Sequence, residues 1–149
     1  MLDLSTFRTG GYRPNSSAER QQINARWQGD LPSGSRVAVT FNNLDQPDSK
    51  DPLGLTRTQF DSNPRQTAPL ALQQDASKTV TQQQMGVTFE HALGEATGVQ
   101  ARVYGGDRRL DNKLSVPPAA QAAATSAGGA VEFARTYSGL GLQVNHRIV

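Results

Sequence analysis

The stretch that decides the fold is 20–27, which reads Arg-Gln-Gln-Ile-Asn-Ala-Arg-Trp. In an extended chain Ile23, Ala25 and Trp27 point to one side, and the polar residues between them point to the other. This period of two is typical of a β-strand. The polar side is too charged for a protein core. The pattern therefore predicts a strand whose apolar side faces outward into lipid and whose charged side faces inward, as in the wall of an outer-membrane β-barrel.

The same alternation recurs along the chain. In one stretch Val37 and Val39 alternate with polar residues, and in another Val87 and Phe89 do so. The predicted strands are 2–8, 18–31, 36–45, 78–93, 99–109 and 136–149. The sequence thus predicts an all-β fold, an antiparallel meander of about six strands that forms a partial transmembrane β-barrel.

The connections between these strands alternate between long and short. Tight turns are predicted at 32–34 and 94–97, whereas 9–17, 46–77 and 110–134 are long and rich in turn-forming or small residues. Long loops on one side and short turns on the other are typical of outer-membrane barrels. Within the second long connection, Thr56 and Gln59 have the spacing of a capping box, which predicts a helical turn that ends before Pro64.

Composition excludes several other classes of protein. The chain has 149 residues and no apolar run long enough for a transmembrane helix, which needs about 18 residues. It has no cysteine, and so disulfides and thiolate metal sites are excluded. The net charge of +2 and the scattered basic residues do not indicate a nucleic-acid partner.

The sequence shows no residue set for catalysis, and we predict that the protein is not an enzyme and holds no cofactor or metal. The two histidines, His91 and His146, fall at strand ends on the apolar sides, where an interfacial position explains them. Asp45, Asp48 and Asp51 lack the glycine and the terminal glutamate of an EF-hand loop, which favours a solvated acidic loop.

Several segments resemble TonB-dependent outer-membrane receptors of the ferric-siderophore type. The turn Thr-Gly-Gly-Tyr-Arg-Pro-Asn-Ser at 9–16, followed by a strand that contains Glu19 and Arg20, is similar to the barrel of these receptors. The stretches 44–48 and 51–56, with Phe60 and 63–66, are similar to one of their long extracellular loops. Residues 103–106 and 137–142 fit their later strands.

This resemblance implies a plugged barrel of about 22 strands. Such receptors import iron-siderophore complexes or similar scarce nutrients across the Gram-negative outer membrane, with energy from TonB. Residues 1–149 have room for only about six strands and show neither the plug domain nor the TonB box. Residues 1–8 do not read as a secretory signal, and so we expect the chain to be one piece of a longer receptor.

The pleat assigns side chains to the two sides of the predicted wall. The outer, lipid-facing set is Ile23, Trp27, Val37, Val39, Phe41, Met85, Val87, Phe89, Val99, Val103, Leu140 and Leu142. The inner set is Arg20, Arg26, Arg36, Gln84, Arg102, Tyr104 and Arg108. Trp27 and Tyr137 are expected in the aromatic girdles at the two membrane interfaces.

Five residues are candidates for contact with a ligand. Tyr12 and Arg13, in an outer turn, suit an anionic, aromatic siderophore, and loop packing is the alternative. Arg20, Arg102 and Arg108 have a charge that suits the same ligand. For these three, as for Arg26 and Arg36, the alternative is pairing with acids of the plug or of neighbouring strands.

A soluble all-β ligand-binding module is the alternative to the receptor. In that case the long loops would form its recognition surface. A soluble module would stay monodisperse without detergent, whereas a barrel segment would not.

Overall fold

The chain forms a single antiparallel sheet with short helices in its long loops. The computed structural model describes residues 1–126 and 128–148. Its strands are β1 Leu2–Thr9, β2 Ala18–Asp30, β3 Arg36–Lys50, β4 Ser77–Ala92, β5 Thr97–Lys113 and β6 Ala130–His146. Its helices are α1 Arg57–Ser62, α2 Pro69–Gln73 and α3 Pro118–Gln121. None of the described helices is long and apolar enough to cross a bilayer.

The strand order β1-β2-β3-β4-β5-β6 is a meander in which each strand pairs with the next. The predicted all-β fold of six antiparallel strands is therefore confirmed. Within the described residues the sheet does not close, because β1 and β6 each keep one edge without a neighbouring strand. An open meander of this kind is consistent with part of a barrel.

The predicted alternation of loop lengths is also confirmed. Short turns at 31–35 and 93–96 lie at one end of the sheet, and the long connections 10–17, 51–76 and 114–129 lie at the other. In the first turn the Leu31 amide donates to the Ser35 carbonyl at 2.7 Å, and Gly34 supplies the positive φ of 73° that the turn requires. We call the two ends of the sheet the short-turn end and the long-loop end.

Three strands are longer than the sequence predicts. The predicted boundaries at 45, 109 and 136 are wrong, because β3 continues to Lys50, β5 continues to Lys113 and β6 begins at Ala130. Backbone pairing with the neighbouring strand extends these ends whatever the polarity of their side chains. On β3 the register of the extension shifts between Gln46 and Ser49. Pro47 lies in this interval and has no backbone N–H to donate to the neighbouring strand. Val149, the predicted last residue of the final strand, lies outside the described residues.

The cross-strand register places every residue of the predicted outer set on one face of the sheet. Trp27 pairs with Val39, which pairs with Val87, and this row continues to Val103 and Leu140. The residues of the inner set share the opposite face by the same register. The predicted division is confirmed, and we name the two sides the apolar face and the polar face.

The sheet is a single layer and has almost no core. Among the described residues no large side chain is fully buried, and the buried apolar residues are Ala38, Ala71, Ala76 and Val80. By contrast, Leu140 is 86% exposed and Leu142 is 72% exposed on the apolar face. Soluble monomers rarely leave a continuous apolar surface of this extent uncovered.

Candidate functional site

The apolar face carries a band of apolar side chains near the short-turn end. On β2 this band runs from Ile23 to Trp27, and on β6 it runs from Leu140 to Val144. The middle of the band on β2 is Ala25, which lies level with Met85 of β4. On β6 the middle is Leu142, which lies level with Phe89 of β4. The band therefore moves by four residues over four strand-to-strand steps. At about 3.4 Å per residue and about 4.8 Å between strands, this shift corresponds to an angle of about 35° between the strands and the direction perpendicular to the band.

Toward the long-loop end the same face becomes polar. The residues that follow the band there are Asn43, Asp45, Thr81, Gln83, Asp107, Arg109 and Thr136. The apolar face is thus divided along the strands into an apolar half and a polar half. This division follows from the sequence itself, since the period of two continues while the residue types change.

The polar face is lined by arginines and amides. Arg36 pairs with Asp30 at 2.8 Å, and Arg26 donates to Gln28 at 3.2 Å. Within the described residues, no hydrogen bond joins the guanidinium of Arg20 or Arg102 to another side chain. The predicted pairing with acids of neighbouring strands therefore occurs at Arg36.

The three candidate ligand arginines of the strands do not form one site. Arg102 and Arg108 lie six residues apart on β5, which corresponds to about 20 Å. Arg20, on β2, lies three strands from β5, or about 14 Å across the sheet. A single small ligand would not contact all three side chains at once.

Tyr12 and Arg13 lie in the loop that joins β1 to β2 and have different surroundings. Arg13 is half-buried and donates through Nη2 to the Leu53 carbonyl at 2.7 Å. Its guanidinium is thereby used in loop packing, the alternative that the sequence left open. Tyr12 is 61% exposed, and the Arg65 guanidinium lies 4.8 Å from its ring centroid. Of the two, Tyr12 is the residue that presents an aromatic surface to solvent.

The three long loops pack on one another. The Asn15 side chain of the first loop donates to two carbonyls of the second loop, that of Asp51 at 2.9 Å and that of Ala76 at 3.1 Å. Gln74 of the second loop donates to the carbonyl of Val116 in the third at 2.7 Å. Ala71 is completely buried between these contacts. The loops therefore form one packed cap over the long-loop end.

The capping box predicted in the second loop is confirmed. The backbone N–H of Gln59 donates to the Thr56 hydroxyl at 3.3 Å, and the backbone N–H of Thr56 donates to the side-chain oxygen of Gln59 at 2.9 Å. The helix that they begin, α1, ends at Ser62, before Pro64 as predicted. Helix α1 contributes no buried residue, and so the capping box, rather than packing, determines where the helix begins.

An ion-pair network joins the second loop to the ends of two strands. Asp75 accepts from Lys50 at 2.7 Å and from Lys113 at 3.1 Å. The hydrogen bond from Lys50 is the larger cause, and that from Lys113 the next, of a pKa of the Asp75 carboxyl below its usual value. These ion pairs therefore connect the ends of β3 and β5 to the packed loops.

This network predicts how Asp75 responds to acid. Because its folded-state pKa is depressed, the stabilisation is present above the unfolded value of about 3.9 and is lost as pH falls through the lower folded value. In carboxyl NMR titrations we expect Asp75 to titrate below about 3.9, and we expect K50Q to raise its pKa more than K113Q does. R57Q is the matched control, because Arg57 pairs with Asp61 instead. Titration of Asp75 at its ordinary value in the unsubstituted chain would contradict the network.

The polar face contains glycines that let large side chains lie flat. A Cβ atom at Gly139 would fall 2.5 Å from the Tyr104 ring, and one at Gly106 would fall 2.8 Å from the Tyr137 hydroxyl. Each glycine is the direct cross-strand partner of the tyrosine that covers it. The two tyrosines thus form a flat surface across β5 and β6.

Tyr137 corrects one expectation. The sequence places it in an aromatic girdle toward lipid, but it lies on the polar face, where its hydroxyl donates to Gln84 at 3.0 Å. The placement in the girdle is wrong because Leu140 and Leu142 occupy even positions of β6 and Tyr137 an odd one. Trp27 does lie on the apolar face, three residues before the end of β2 at the short-turn end.

The two histidines and Asp51 have local partners. His91 lies 2.9 Å from the Ser35 hydroxyl and His146 lies 2.8 Å from the Thr97 hydroxyl, both at the short-turn end. Asp51 accepts from the Leu53 amide at 2.8 Å. In residues 1–126 and 128–148 no group of three or more His, Asp or Glu is placed to hold a metal ion.

No protein-family model matches this chain.

Proposed function

We propose that this chain is part of the barrel wall of an outer-membrane receptor of the TonB-dependent type. In this function the apolar face contacts lipid and the polar face lines the interior. The long loops lie on the outside of the cell. The observation that carries the proposal is the exposed apolar band, which shifts along the strands on one face of a single-layer sheet.

The first supporting argument concerns the solvent of the apolar face. A sheet needs a second layer, or an apolar solvent, to cover its apolar side. Within the described residues there is no second layer, and Trp27, Met85 and Val103 are each more than half exposed. A bilayer is an environment in which such a face is stable without a covering element.

The second argument concerns the geometry of the band. A strand tilt of about 35° falls within the range of about 35–45° for membrane barrels. Including the leucines that follow the strands, the apolar stretch runs from Ile23 to Leu31 on β2 and from Met85 to Leu93 on β4. Eight residue steps at this tilt span about 22 Å along the membrane normal, close to the apolar band of about 25 Å in such barrels.

The receptor type and its ligand rest on a resemblance to ferric-siderophore receptors. The segments that carry it are 9–16 with Glu19 and Arg20, 44–48, 51–56, Phe60, 63–66, 103–106 and 137–142. The proposed ligand is an iron-siderophore complex or a similar scarce nutrient. The proposed energy source is TonB, acting through a part of the receptor outside this chain, and the proposed location is the Gram-negative outer membrane. Neither a cofactor nor a nucleic acid takes part in this function.

One observation favours the alternative, a soluble all-β ligand-binding module. The cap at the long-loop end has its own buried residues, among them Ala71, Ala76 and Thr67. Such packing suits a recognition surface built on a soluble sheet. In that case another protein surface would have to cover the apolar face.

The single tryptophan provides the test of the membrane proposal. Trp27 lies on the apolar face, and the chain contains no other tryptophan. In micelles of a detergent with brominated chains, we expect most of its fluorescence to be quenched. Aqueous acrylamide should quench it weakly.

The matched control moves the fluorophore to the other face. In the double variant W27F/Y104W the tryptophan lies on the polar face, and acrylamide should quench it more strongly than the brominated detergent does. Efficient acrylamide quenching of Trp27, with no effect of brominated detergent, would favour the soluble module. The receptor type is tested separately by the flanking DNA, where a continuous reading frame for a plug domain supports it and its absence contradicts it.

A further inference from the structure

Two arginines of the polar face lie directly opposite each other on neighbouring strands. Arg108 of β5 pairs in register with Arg135 of β6. Like charges in directly opposed positions repel each other. The register therefore places concentrated positive charge at one point of the sheet.

The acidic residues of these two strands do not neutralise the pair. Asp107 and Asp111 of β5 and Glu132 of β6 lie on the apolar face of the sheet. On the polar face the strand acids are Asp3, Asp30 and Glu90. Asp3 lies four strands from β5, about 19 Å across the sheet, and Glu90 lies eight residues along β4 from the level of Arg108, about 27 Å away.

The two guanidinium groups have different surroundings. Arg108 donates through Nη1 to the Gln82 side chain at 2.9 Å, and its Nε is buried without an acceptor among the described residues. The guanidinium of Arg135 lies over the rings of Phe133 and Tyr137, at 5.6 and 5.9 Å from their centroids. A guanidinium presents forked donors that match the two oxygens of a carboxylate.

The pair lies on the long-loop side of the apolar band. At its level the opposite face carries Gln83, Asp107 and Thr136, which are polar. Under the membrane proposal this level is beyond the apolar band and in contact with water from the long-loop end. A soluble anion would reach it without crossing the band.

We propose that Arg108 and Arg135 form a binding subsite for a carboxylate group of a small soluble ligand. The two guanidinium groups donate to the carboxylate, and Phe133 and Tyr137 form its apolar wall. This inference rests on the register of β5 and β6 rather than on the type of receptor. It holds equally for a soluble module.

The test uses citrate as the probe and the full chain refolded in zwitterionic micelles. In NMR spectra of the arginine Nε–H groups, citrate added at constant ionic strength should shift the signals of Arg108 and Arg135. Because hydrogen bonds to charged groups are strong, R108Q and R135Q should each raise the Kd for citrate by about tenfold or more. Chloride, which cannot accept two parallel hydrogen bonds from one guanidinium, should have no effect.

R109Q is the matched control, because Arg109 is the next residue of β5 and lies on the opposite face. It should leave the Kd for citrate unchanged within about twofold. Equal shifts of all arginine signals would show charge screening only and would overturn the subsite, as would no citrate binding. If R108Q does not refold, R135Q decides, because Arg135 makes no hydrogen bond through its side chain within the described residues.

Discussion

Produced alone and without detergent, the 149-residue chain is expected to collect in inclusion bodies and to give no ligand-dependent uptake in a receptor-deficient strain. Two features cause this result. The apolar face has no cover, and β1 and β6 each present a free edge of backbone donors and acceptors within the described residues. Free edges of this kind pair with other chains and promote aggregation.

A sheet of only six strands cannot remove these edges by closing into a receptor-sized barrel. Six strands are too few to enclose an interior wide enough for a plug. The apolar face and the free edges therefore have the same consequence, loss of soluble material.

The control is the same chain refolded in detergent micelles, where the apolar face is covered and β-structure should be recovered. Circular dichroism and light scattering, with and without detergent, measure the two states. Recovery of a soluble monomer that melts cooperatively in water would contradict the prediction. It would identify the chain as a self-sufficient domain and would favour the soluble binding module.

A second large effect is expected from the substitution G106A. A Cβ atom at position 106 would overlap the Gln83 backbone carbonyl and would lie 2.8 Å from the Tyr137 hydroxyl. Backbone cannot move aside as a flexible side chain does. We therefore expect a loss of about 1–3 kcal/mol in the free energy of unfolding, measured by urea denaturation in micelles.

The neighbouring glycine is the matched control. A Cβ atom at Gly105 would meet its nearest neighbours at 3.6 and 3.8 Å, which is ordinary contact. G105A should therefore change the free energy of unfolding by less than about 0.5 kcal/mol. Equal effects of G105A and G106A would show that the flat arrangement of Tyr137 over Gly106 is not formed.

The faces of the sheet could be predicted because side chains alternate by chain geometry alone. Once Ile23, Ala25 and Trp27 are assigned to one side, no tertiary contact is needed to divide the strand. The same rule places Tyr137 on the polar face, since it lies an odd number of residues from Leu140 along β6. The aromatic type of Tyr137 suggests the membrane interface, but its position in the period of two places it on the other face.

The ends of the strands could not be predicted in the same way. Near the long-loop end β3 and β5 lose their clear alternation, and Pro47 and Asp48 read as a turn. Their backbone nevertheless pairs with β4, in part across the irregularity between Gln46 and Ser49. A strand end of this kind is determined by its neighbour, which lies far away in sequence.

The candidate site shows the same division. The sequence singled out Arg108 from its charge and its parity, but it did not single out Arg135, because 110–134 was predicted to be a loop and the final strand to begin at 136. Only the register of β5 and β6 makes the two arginines neighbours. Likewise, Arg13 was a ligand candidate by residue type, and only the folded loops show that its guanidinium binds the Leu53 carbonyl.

The sequence by itself determined the all-β class, the two faces of the sheet, the alternation of short turns and long loops, and the capping box at Thr56. Each of these follows from contacts or periodicity within a few residues along the chain. The tertiary structure alone decided which residues face each other across strands, how the three long loops pack into one cap, and where the strands end. These features depend on pairing between segments distant in sequence, and no local pattern encodes the register at which two such segments meet.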